Sequence, residues 1–490
     1  MRKRIHQIEL FIKYPHDVQK DWLESLISTA QFTEFGKKYH FDEISSYSAF
    51  REIVPLSNYE DLSPFIERLR KGEENILWPT ESKWFAKSSG TSGHRSKYIP
   101  VTNESLKDCH FKGGKDMLSL YCYNYPETQV FNGKSVIMGG SHESSLSTNK
   151  KDGDLSAIIV DNLPFWVDIH QTPNKDIRLM NDFEKKIQQM AMITAEEDVR
   201  TISGVPSWML ILFQKILEVK EVENISQVWP NLELYMHGGV SFAPYKNQFE
   251  KLIPKGINYL ETYNASEGFF GIQDQKNSDE MLLMLDYGIF YEFIPTEVID
   301  KQKAIPLWEV EIGKTYALVI STNAGLWRYK IGDTVVFTCV SPYRIKINGR
   351  VGQFINAFGE ELLMDNAEKA IQIACEKTFA NINEYTAGPK YMSDSNLAAH
   401  EWIFEFNKRP DDIDKFIEIL DEKLMEINSD YAAKRNKNLA LQKPILHIVP
   451  SGFFYNWMKS QDKLGRQFKV PRLSNNRNHL ESIFKLLKTL

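Results

Sequence analysis

The 490-residue sequence lacks the features of several large classes of protein. It has only four cysteines (Cys109, Cys122, Cys339 and Cys375), and they form neither a CxxC pair nor the spacing of a metal site. No uninterrupted apolar run approaches about 18 residues, so no membrane-spanning helix is predicted. Basic residues are not in excess, because the formal net charge is −6. This charge disfavours nucleic acid as the main partner, since phosphate binding needs a basic face.

The N-terminal residues are basic, but no apolar signal-peptide core follows them, because Glu9 interrupts early. Scattered cysteines are typical of reduced thiols in a cytoplasmic protein. We therefore expect a cytoplasmic protein that has no contact with a membrane. No pattern in the sequence determines the oligomeric state, and a monomer is our expectation.

The length and composition predict a globular protein of two or three domains. The apolar fraction is 42% and the charged fraction 25%, both ordinary for such proteins. A single hydrophobic core rarely grows beyond about 250–300 residues. No internal repeat or low-complexity tract suggests another architecture.

Helices and short buried strands alternate along most of the chain. The first 60 residues show helical periodicity, and a further helix is predicted to begin near Pro64. Leu155–Val160 is read as a strand, and Asp182–Val199 as a helix. Two β-rich runs between Tyr316 and Phe337 predict a local antiparallel or barrel-like element. This alternation indicates an α/β layered fold.

A basic, glycine-containing stretch near Asn348 marks the predicted domain boundary. We expect a large domain at 1–347 and a smaller α+β domain at 348–490. The smaller domain is predicted to contain a helix at Asp365–Phe379 and a long helix at Asp411–Tyr431.

The first segment that suggests chemistry is a loop of small residues followed by a lysine, Lys97. Such a loop brings backbone N–H groups close to a polyanion, and hydroxyls add further donors. It is not a Walker A loop, because Lys97 does not follow a glycine. The alternative is a flexible Ser/Gly surface loop. The loop residues are Ser88, Ser89, Gly90, Thr91 and Ser92.

The second segment follows a predicted strand and presents several kinds of polar group in six residues, Tyr263–Gly268. Glu267 is a candidate for holding Mg²⁺, which typically takes one or two carboxylates plus phosphate oxygens. Tyr263 is a candidate for stacking on a base. The alternative is an exposed turn with a solvated glutamate. The residues between them are Asn264, Ala265 and Ser266.

The third segment, Leu326–Thr334, places Asp333 at a predicted turn between two β segments. An acidic residue in this position either caps the turn or accepts hydrogen bonds from a ribose.

Together, in this order, the three segments resemble the ATP- and AMP-binding motifs of the Gretchen Hagen 3 (auxin-responsive) family of acyl-acid amido synthetases. That family belongs to the adenylate-forming superfamily, so the resemblance implies an adenylate-forming fold with a large N-terminal and a smaller, mobile C-terminal domain. Lys330 stands where the family usually has arginine, and Asn264 where plant members usually have a small residue. Segments such as Gly204–Leu210 and His237–Tyr245 look like those of bacterial members.

The resemblance implies further site residues. Arg350 would contact ribose or phosphate from the hinge at 348–353, and Gly239 would line the nucleotide site. Lys469 stands where the late catalytic lysine of the superfamily is expected, with Lys463 as a rival. Glu267 and Lys469 are therefore the expected catalytic residues.

The implied activity is that of a ligase that forms carbon–nitrogen bonds. With ATP and Mg²⁺ it would activate a carboxylic acid as an acyl-adenylate, which an amino acid or another amine would then attack. Two alternatives stay open: an acyl-CoA ligase, because the motifs do not separate amine from thiol, and a nucleotide-binding protein without catalysis. The acid, the amine and the general base are not determined. The expected acyl-pocket residues are Val205, Trp208, Met209, Phe242 and Phe270.

Overall fold

The computed structural model describes residues 2–88, 97–140, 150–239, 242, 245–297, 303–350, 354–355, 362–390, 398–428, 431–432, 435, 441–461, 469–474 and 477–488. The chain divides into two compact units, Met1–Val240 with Glu250–Ile347, and Ser241–Phe249 with Asn348–Leu490. Each unit has its own hydrophobic core. The nine residues 241–249 thus belong to the second unit. The predicted single boundary after residue 347 places them in the first domain.

Helices fill most of the first 70 residues, as the helical periodicity predicts. They are α1 (Arg2–Lys13), α2 (Pro15–Ala30), α3 (Glu34–Lys38), α4 (Tyr47–Ile53) and α5 (Tyr59–Arg70).

Helix α5 corrects the prediction of a helix start near Pro64. Asn58 and Asp61 form a capping box, in which the Asp61 N–H donates to Asn58 Oδ1 and the Asn58 N–H to Asp61 Oδ2. This reciprocal pair sets the start of the helix at Tyr59, five residues before the proline. Because Pro64 has no N–H, it offers no donor to the Glu60 carbonyl, which instead accepts the Ser63 hydroxyl at 3.0 Å.

Strands up to residue 350 form two sheets. They are β1 (Ser82–Ser88), β2 (Lys97–Thr102), β3 (Lys134–Met138), β4 (Lys151–Gly153), β5 (Val199–Gly204), β6 (Leu234–Gly238), β7 (Asn258–Ala265), β8 (Gly268–Ile272), β9 (Met281–Leu283), β10 (Ile289–Pro295), β11 (Ile305–Pro306), β12 (Thr315–Thr322), β13 (Tyr329–Val340) and β14 (Tyr343–Arg350).

The larger sheet has the order β11-β10-β12-β13-β14-β9-β8-β7-β6-β5-β3 within the described residues. Strands β3, β5, β6 and β7 pair in parallel, whereas β7, β8 and β9 pair antiparallel. Strands β12 and β13 are antiparallel too, which confirms the prediction for Tyr316–Phe337. A small sheet, β2-β1-β4, carries the Ser/Gly loop between β1 and β2.

The helices between these strands bear out the α/β alternation, with two corrections. They are a π-helical segment (Ser105–Phe111), α6 (Lys112–Asn124), α7 (Leu155–Asp161), α8 (Phe165–Asp168), α9 (Lys175–Arg178), α10 (Phe183–Thr194), α11 (Pro206–Lys220) and α12 (Lys246–Leu252). The predicted strand Leu155–Val160 is wrong, because a short apolar run does not distinguish a buried helix from a strand. The helix predicted for Asp182–Val199 ends at Thr194, and Val199 already begins β5.

The second unit is α+β. Its elements are β15 (Phe354–Ile355), β16 (Leu362–Leu363), α13 (Met364–Thr378), β17 (Asn381–Lys390), β18 (Ala399–Lys408), α14 (Ile413–Ile427), β19 (Ile445–Val449), α15 (Phe453–Ser460) and α16 (Asn478–Leu487). Strands β17-β18-β19 form one sheet in this order, and β15 and β16 form a separate two-stranded sheet. The helix predicted for Asp411–Tyr431 is shorter, because the Asp412 side chain caps the N–H of Lys415 and the helix ends at Ile427. All four cysteines, each within the described residues, are free.

Two adjacent glycines at the start of α6 give a test of this packing. A Cβ on Gly113 would lie 2.5 Å from the buried Phe269 ring, whereas one on Gly114 would meet nothing within 4 Å. Gly114→Ala should therefore stabilise the fold by up to about 1 kcal/mol, because alanine favours helix. Gly113→Ala should destabilise it by about 1–3 kcal/mol through overpacking. Denaturant unfolding of both variants measures the difference, and equal effects would contradict the packing of α6 on β8.

Candidate nucleotide and acyl site

The carboxyl ends of three neighbouring parallel strands, β5, β6 and β7, meet at one edge of the larger sheet. A Cβ on Gly204 would lie 2.8 Å from the Met138 carbonyl oxygen, and one on Gly238 would lie 2.4 Å from that of Thr262. The next residue, Gly239, has a φ of +78°. These glycines leave main chain without side chains at the edge where ligands bind in open α/β sheets.

The hairpin of β7 and β8 places Glu267 beside this edge. Its turn consists of Ser266 and Glu267, each only 7% exposed, and half-buried Asn264 and Ala265 precede them. The alternative of an exposed turn with a solvated glutamate is therefore wrong. A carboxylate held in a buried turn at the end of a strand has a better defined position than a solvated one, which suits a metal ligand.

The π-helical segment Ser105–Phe111 holds both strands of this hairpin through two consecutive residues. Cys109 Sγ accepts the N–H of Phe269 at 3.1 Å, and His110 Nδ1 lies 3.1 Å from Asn264 Oδ1. Burial lowers the pKa of His110 to about 4, against the opposing effect of Asn264. The imidazole is therefore neutral near pH 7, and Nδ1 carries the hydrogen that it donates. Short π-helical turns frequently occur at functional sites.

Tyr263 and Asp333, which come from two different motifs, are joined by a buried hydrogen bond. The Tyr263 hydroxyl donates to Asp333 Oδ2 at 2.7 Å, and the Tyr263 ring packs edge-to-face on Phe270. Asp333 lies inside β13 and is 7% exposed, so its prediction as a turn residue is wrong. Tyr263 is only 4% exposed, so its ring faces the protein core rather than an open surface.

This hydrogen bond also requires the larger sheet to curl. Three strands lie between β7 and β13, which in a flat sheet would separate them by about 19 Å. That is farther than a tyrosine and an aspartate side chain together can reach. The predicted barrel-like element therefore corresponds to the curled, antiparallel part of the sheet.

The Ser/Gly loop is described only at its two ends. Ser89, Gly90, Thr91 and Ser92 lie outside the described residues. Ser88 ends β1 and Lys97 begins β2, and these two residues pair across the hairpin. Lys97 Nζ lies 6.0 Å from the centre of the Tyr59 ring of α5.

The five predicted acyl-pocket residues differ in their surroundings. Val205 and Trp208, at the start of α11, are half-buried, and Trp208 packs edge-to-face on Phe183. Met209 and Phe270 are fully buried in the core. The fifth, Phe242, belongs to the second unit and is 9% exposed.

The predicted residues of the C-terminal region are only partly described. Arg350 ends β14, and nothing is described of its side chain; Lys463 and residues 351–353 of the predicted hinge lie outside the described residues. Lys469 is described and exposed.

Sequence reasoning did not single out His110, Cys109 or Lys186. Lys186 of α10 is 2% exposed and donates to the carbonyls of Gly139 and Gly140, at 2.7 and 2.9 Å, just beyond β3. Burial lowers its pKa to about 8, against the opposing charge of Asp154. The glycine pair was visible in the sequence, but a lone lysine in an amphipathic helix gives no signal of such a contact.

The donor set fits nucleotide-bound Mg²⁺ better than a metal held by protein alone. The described residues contain no group of three or more His, Cys, Asp or Glu arranged around a metal position. Mg²⁺ usually keeps several waters and takes one or two carboxylates plus phosphate oxygens. Glu267 would supply one such carboxylate, beside strand ends whose glycines carry no side chain.

Family comparisons agree over most of the chain. Residues 4–257 match the GH3 family N-terminal domain, 282–350 the GH3 family central domain, and 365–478 the GH3 family C-terminal domain. The chain is also similar to indole-3-acetic acid-amido synthetase GH3.4 of Arabidopsis thaliana, at 23% identity over 99% of this chain and 93% of the relative.

Two solved structures share the fold. The GH3.15 acyl acid amido synthetase superposes with a TM-score of 0.81 at 18% identity, covering 99% of this chain and 96% of the other. A 2-hydroxyisobutyryl-CoA ligase with a bound acyl-AMP superposes with a TM-score of 0.60 at 12% identity, covering 96% and 92%. The fold is therefore that of adenylate-forming enzymes. None of the helices that the structure describes is long and apolar enough to cross a membrane.

The two buried histidines of this site make stability depend on pH. Burial lowers the pKa of His237 to about 3 and that of His110 to about 4. Below about pH 6.5 these two histidines bind protons in the unfolded chain but stay neutral in the folded chain. Stability should therefore fall as pH falls towards 4. Each pKa unit corresponds to about 1.4 kcal/mol.

Denaturant unfolding of wild type and His237→Gln between pH 7 and 4 tests this dependence. In the variant, the slope of the unfolding free energy against pH should correspond to about one bound proton fewer than in wild type. Ser28→Ala is a control for substitution itself, because Ser28 is exposed and its side chain carries no charge in this range; it should keep the wild-type slope. Parallel curves for wild type and His237→Gln would contradict a neutral, buried His237.

Proposed function

The chain belongs to the GH3 family, and on that basis we propose that it is an ATP-dependent acyl-acid amido synthetase, a carbon–nitrogen ligase that forms AMP. A carboxylate oxygen attacks the α-phosphorus of ATP, and pyrophosphate leaves. The nitrogen of an amino acid then attacks the acyl carbon of the adenylate. AMP leaves with the bonding electrons, and the amine loses a proton to give the amide.

The observation that carries this proposal is the hydrogen bond between Tyr263 and Asp333. It joins the second and third motifs at one place in the fold. Asp333 is proposed to accept hydrogen bonds from the ribose hydroxyls, as acidic residues do in other nucleotide folds. Tyr263 orients the carboxylate by occupying one of its oxygens, so its role is to position Asp333 as well as to border the nucleoside.

Glu267 is proposed to hold Mg²⁺ together with phosphate oxygens. The bound ion would neutralise negative charge that develops on the departing pyrophosphate. Cys109 and His110 hold both strands of the hairpin by hydrogen bonds, so the Glu267 carboxylate needs little reorganisation before reaction. Ser266, Ala265 and Asn264 border the same edge and complete this part of the proposed nucleotide site.

The remaining nucleotide contacts are proposed from the motif positions. The loop 88–92 and Lys97 would bind the β- and γ-phosphates, and Gly239 would offer main chain to the nucleotide. Arg350 is proposed for the ribose or phosphate. Lys469 is proposed to neutralise the α-phosphate and the acyl carboxylate during adenylation, which makes it the second catalytic residue.

The acyl chain is proposed to lie against Trp208 and Val205, which are half-buried at the carboxyl end of β5. Met209 and Phe270, buried in the same unit, would support this wall, and Phe242 stays a predicted acyl-pocket residue. The relatives differ in the acids they act on, so their names do not identify the acid of this chain.

No histidine of the described site is suited to deprotonate the amine. Because the pKa of His237 is lowered to about 3, it is neutral near pH 7 but too weak a base to keep a proton taken from an ammonium group. The amine is therefore proposed to bind already deprotonated or to lose its proton to water.

A monomer in the cytoplasm remains our prediction for the oligomeric state and the compartment of the protein.

The activity is tested by AMP and pyrophosphate release from Mg-ATP with a panel of carboxylic acids, in the presence of mixed amino acids. Release should depend on the acid and rise with amino acids. Asp333→Ala should reduce it by about 100-fold, because lost positioning of the reacting groups costs that much. Asp279→Ala is the matched control, since that carboxylate is 80% exposed and pairs with Lys346; it should retain wild-type activity.

Two outcomes would redirect the assignment. Release that requires coenzyme A rather than an amine would make the chain an acyl-CoA ligase, which the structural likeness to such a ligase leaves open. ATP binding without release of AMP for any acid of a broad panel would favour a non-catalytic nucleotide-binding protein.

A further inference from the structure

The nine residues 241–249 follow the glycine turn after β6 in sequence, but they pack in the second unit. Tyr245 is 1% exposed there. Gln248 donates to Asn381 Oδ1 at 2.8 Å and to the Ile382 carbonyl at 3.2 Å, at the start of β17. The segment is thus attached to the central sheet of the second unit by buried polar contacts.

Arg472 is the centre of those contacts. Its guanidinium donates to the Tyr245 hydroxyl at 2.7 Å and pairs with Glu384 at 3.0 Å. The same group lies 4.5 Å from the centre of the Tyr385 ring, a cation–π contact. Burial raises the pKa of Glu384, and the charge of Arg472 opposes that rise. An arginine in this setting has little freedom to move, because two of its nitrogens and the face of its guanidinium are engaged.

The main chain around Arg472 is attached to β17 as well. The Ala387 N–H donates to the Arg472 carbonyl at 2.8 Å, and the Ser474 N–H donates to the Ala387 carbonyl at 3.1 Å. The Thr386 hydroxyl donates to the Pro471 carbonyl. Residues 470–474, here called the anchored stretch, therefore run along β17 in one register.

Lys469 immediately precedes this stretch and is exposed. A fixed main chain limits the region that the ammonium group of a neighbouring lysine can reach. Arg472 is three residues away, so its attachment limits where the backbone of Lys469 can lie. A contact that served stability alone would not need a buried cation, because a well-packed apolar group is often as stable.

We propose that Arg472, held by Tyr245 and Glu384, is a positioning residue that places Lys469 for adenylation. This inference rests on the proposed function of Lys469. It assigns to residues 241–249 a role that their place in the sequence, within the first domain, does not suggest.

A double-mutant cycle tests the proposal. Tyr245→Phe removes one hydroxyl and is expected to fold, unlike a truncation of the buried Arg472. Acid-dependent exchange of pyrophosphate into ATP reports adenylation alone. Tyr245→Phe should lower kcat for exchange about 10-fold, with KM for ATP and for the acid within about twofold, because misplaced groups lose rate. In the Lys469→Ala background the same change should add less than about twofold.

Tyr431→Phe is the matched control. Its hydroxyl donates at 2.7 Å to Asp421, also buried in the second unit, so it removes a similar bond away from the anchored stretch. Its effect on exchange should be small and should be the same with or without Lys469. Equal, additive effects of the two tyrosine variants would overturn the proposal and leave Arg472 a structural residue.

A second measurement does not depend on activity. Limited trypsin digestion, followed by mass spectrometry, reports cleavage after Lys469. Tyr245→Phe and Arg472→Lys should accelerate that cleavage several-fold relative to wild type and Tyr431→Phe. Unchanged cleavage would overturn the proposal even if no acid supports exchange. Loss of exchange in wild type with accelerated cleavage in the variants would instead count against the proposed function alone.

Discussion

The hydrogen bond from the Tyr263 hydroxyl to Asp333 is the contact on which the proposed nucleotide site depends. It spans three intervening strands of the larger sheet, so it exists only because that sheet curls. The curl brings the end of β7, in the parallel part of the sheet, close to β13 in the antiparallel part. As a consequence, the second and third motifs meet although Tyr263 and Asp333 are 70 positions apart in the sequence. Any change that flattened the sheet would separate the two motifs.

Burial sets the electrostatics around these carboxylates. His110 and His237 are neutral near pH 7, because desolvation lowers the pKa of each, and Lys186 is engaged by two carbonyls. The described residues around these carboxylates thus contribute oriented hydrogen-bond donors rather than mobile charged side chains. Such preorganised dipoles favour a reaction whose charges arrive with ATP and the acid, since they need little rearrangement. The second unit applies the same principle at Arg472, where a buried cation orders a stretch of main chain rather than a ligand.

Local patterns predicted most elements, and the exceptions have physical causes. Strands β12 and β13 follow from the two β-rich runs between Tyr316 and Phe337, and α13 agrees within one residue at each end with the helix predicted at Asp365–Phe379. The prediction for Leu155–Val160 failed because six residues, five of them apolar, are too few to show a helical or a strand period. The helix start predicted near Pro64 failed because the capping box at Asn58 and Asp61 outweighs the cost of a proline inside the helix. The Glu60 carbonyl, which Pro64 cannot bond, accepts the Ser63 hydroxyl instead. Asp333 failed as a turn residue because its strand continues on both sides of Gly332.

The sequence by itself determined the family, the α/β class and the order of three motifs, because these reside in residue types and short spacings. Only the tertiary structure decided which of those residues meet. It paired Tyr263 with Asp333, put His110 and Cys109 behind the hairpin, and moved Tyr245 into the second unit. Contacts between distant segments depend on sheet curvature and on the burial of polar groups. Neither sheet curvature nor the burial of polar groups produces a periodicity or a spacing that can be recognised in a short segment of sequence.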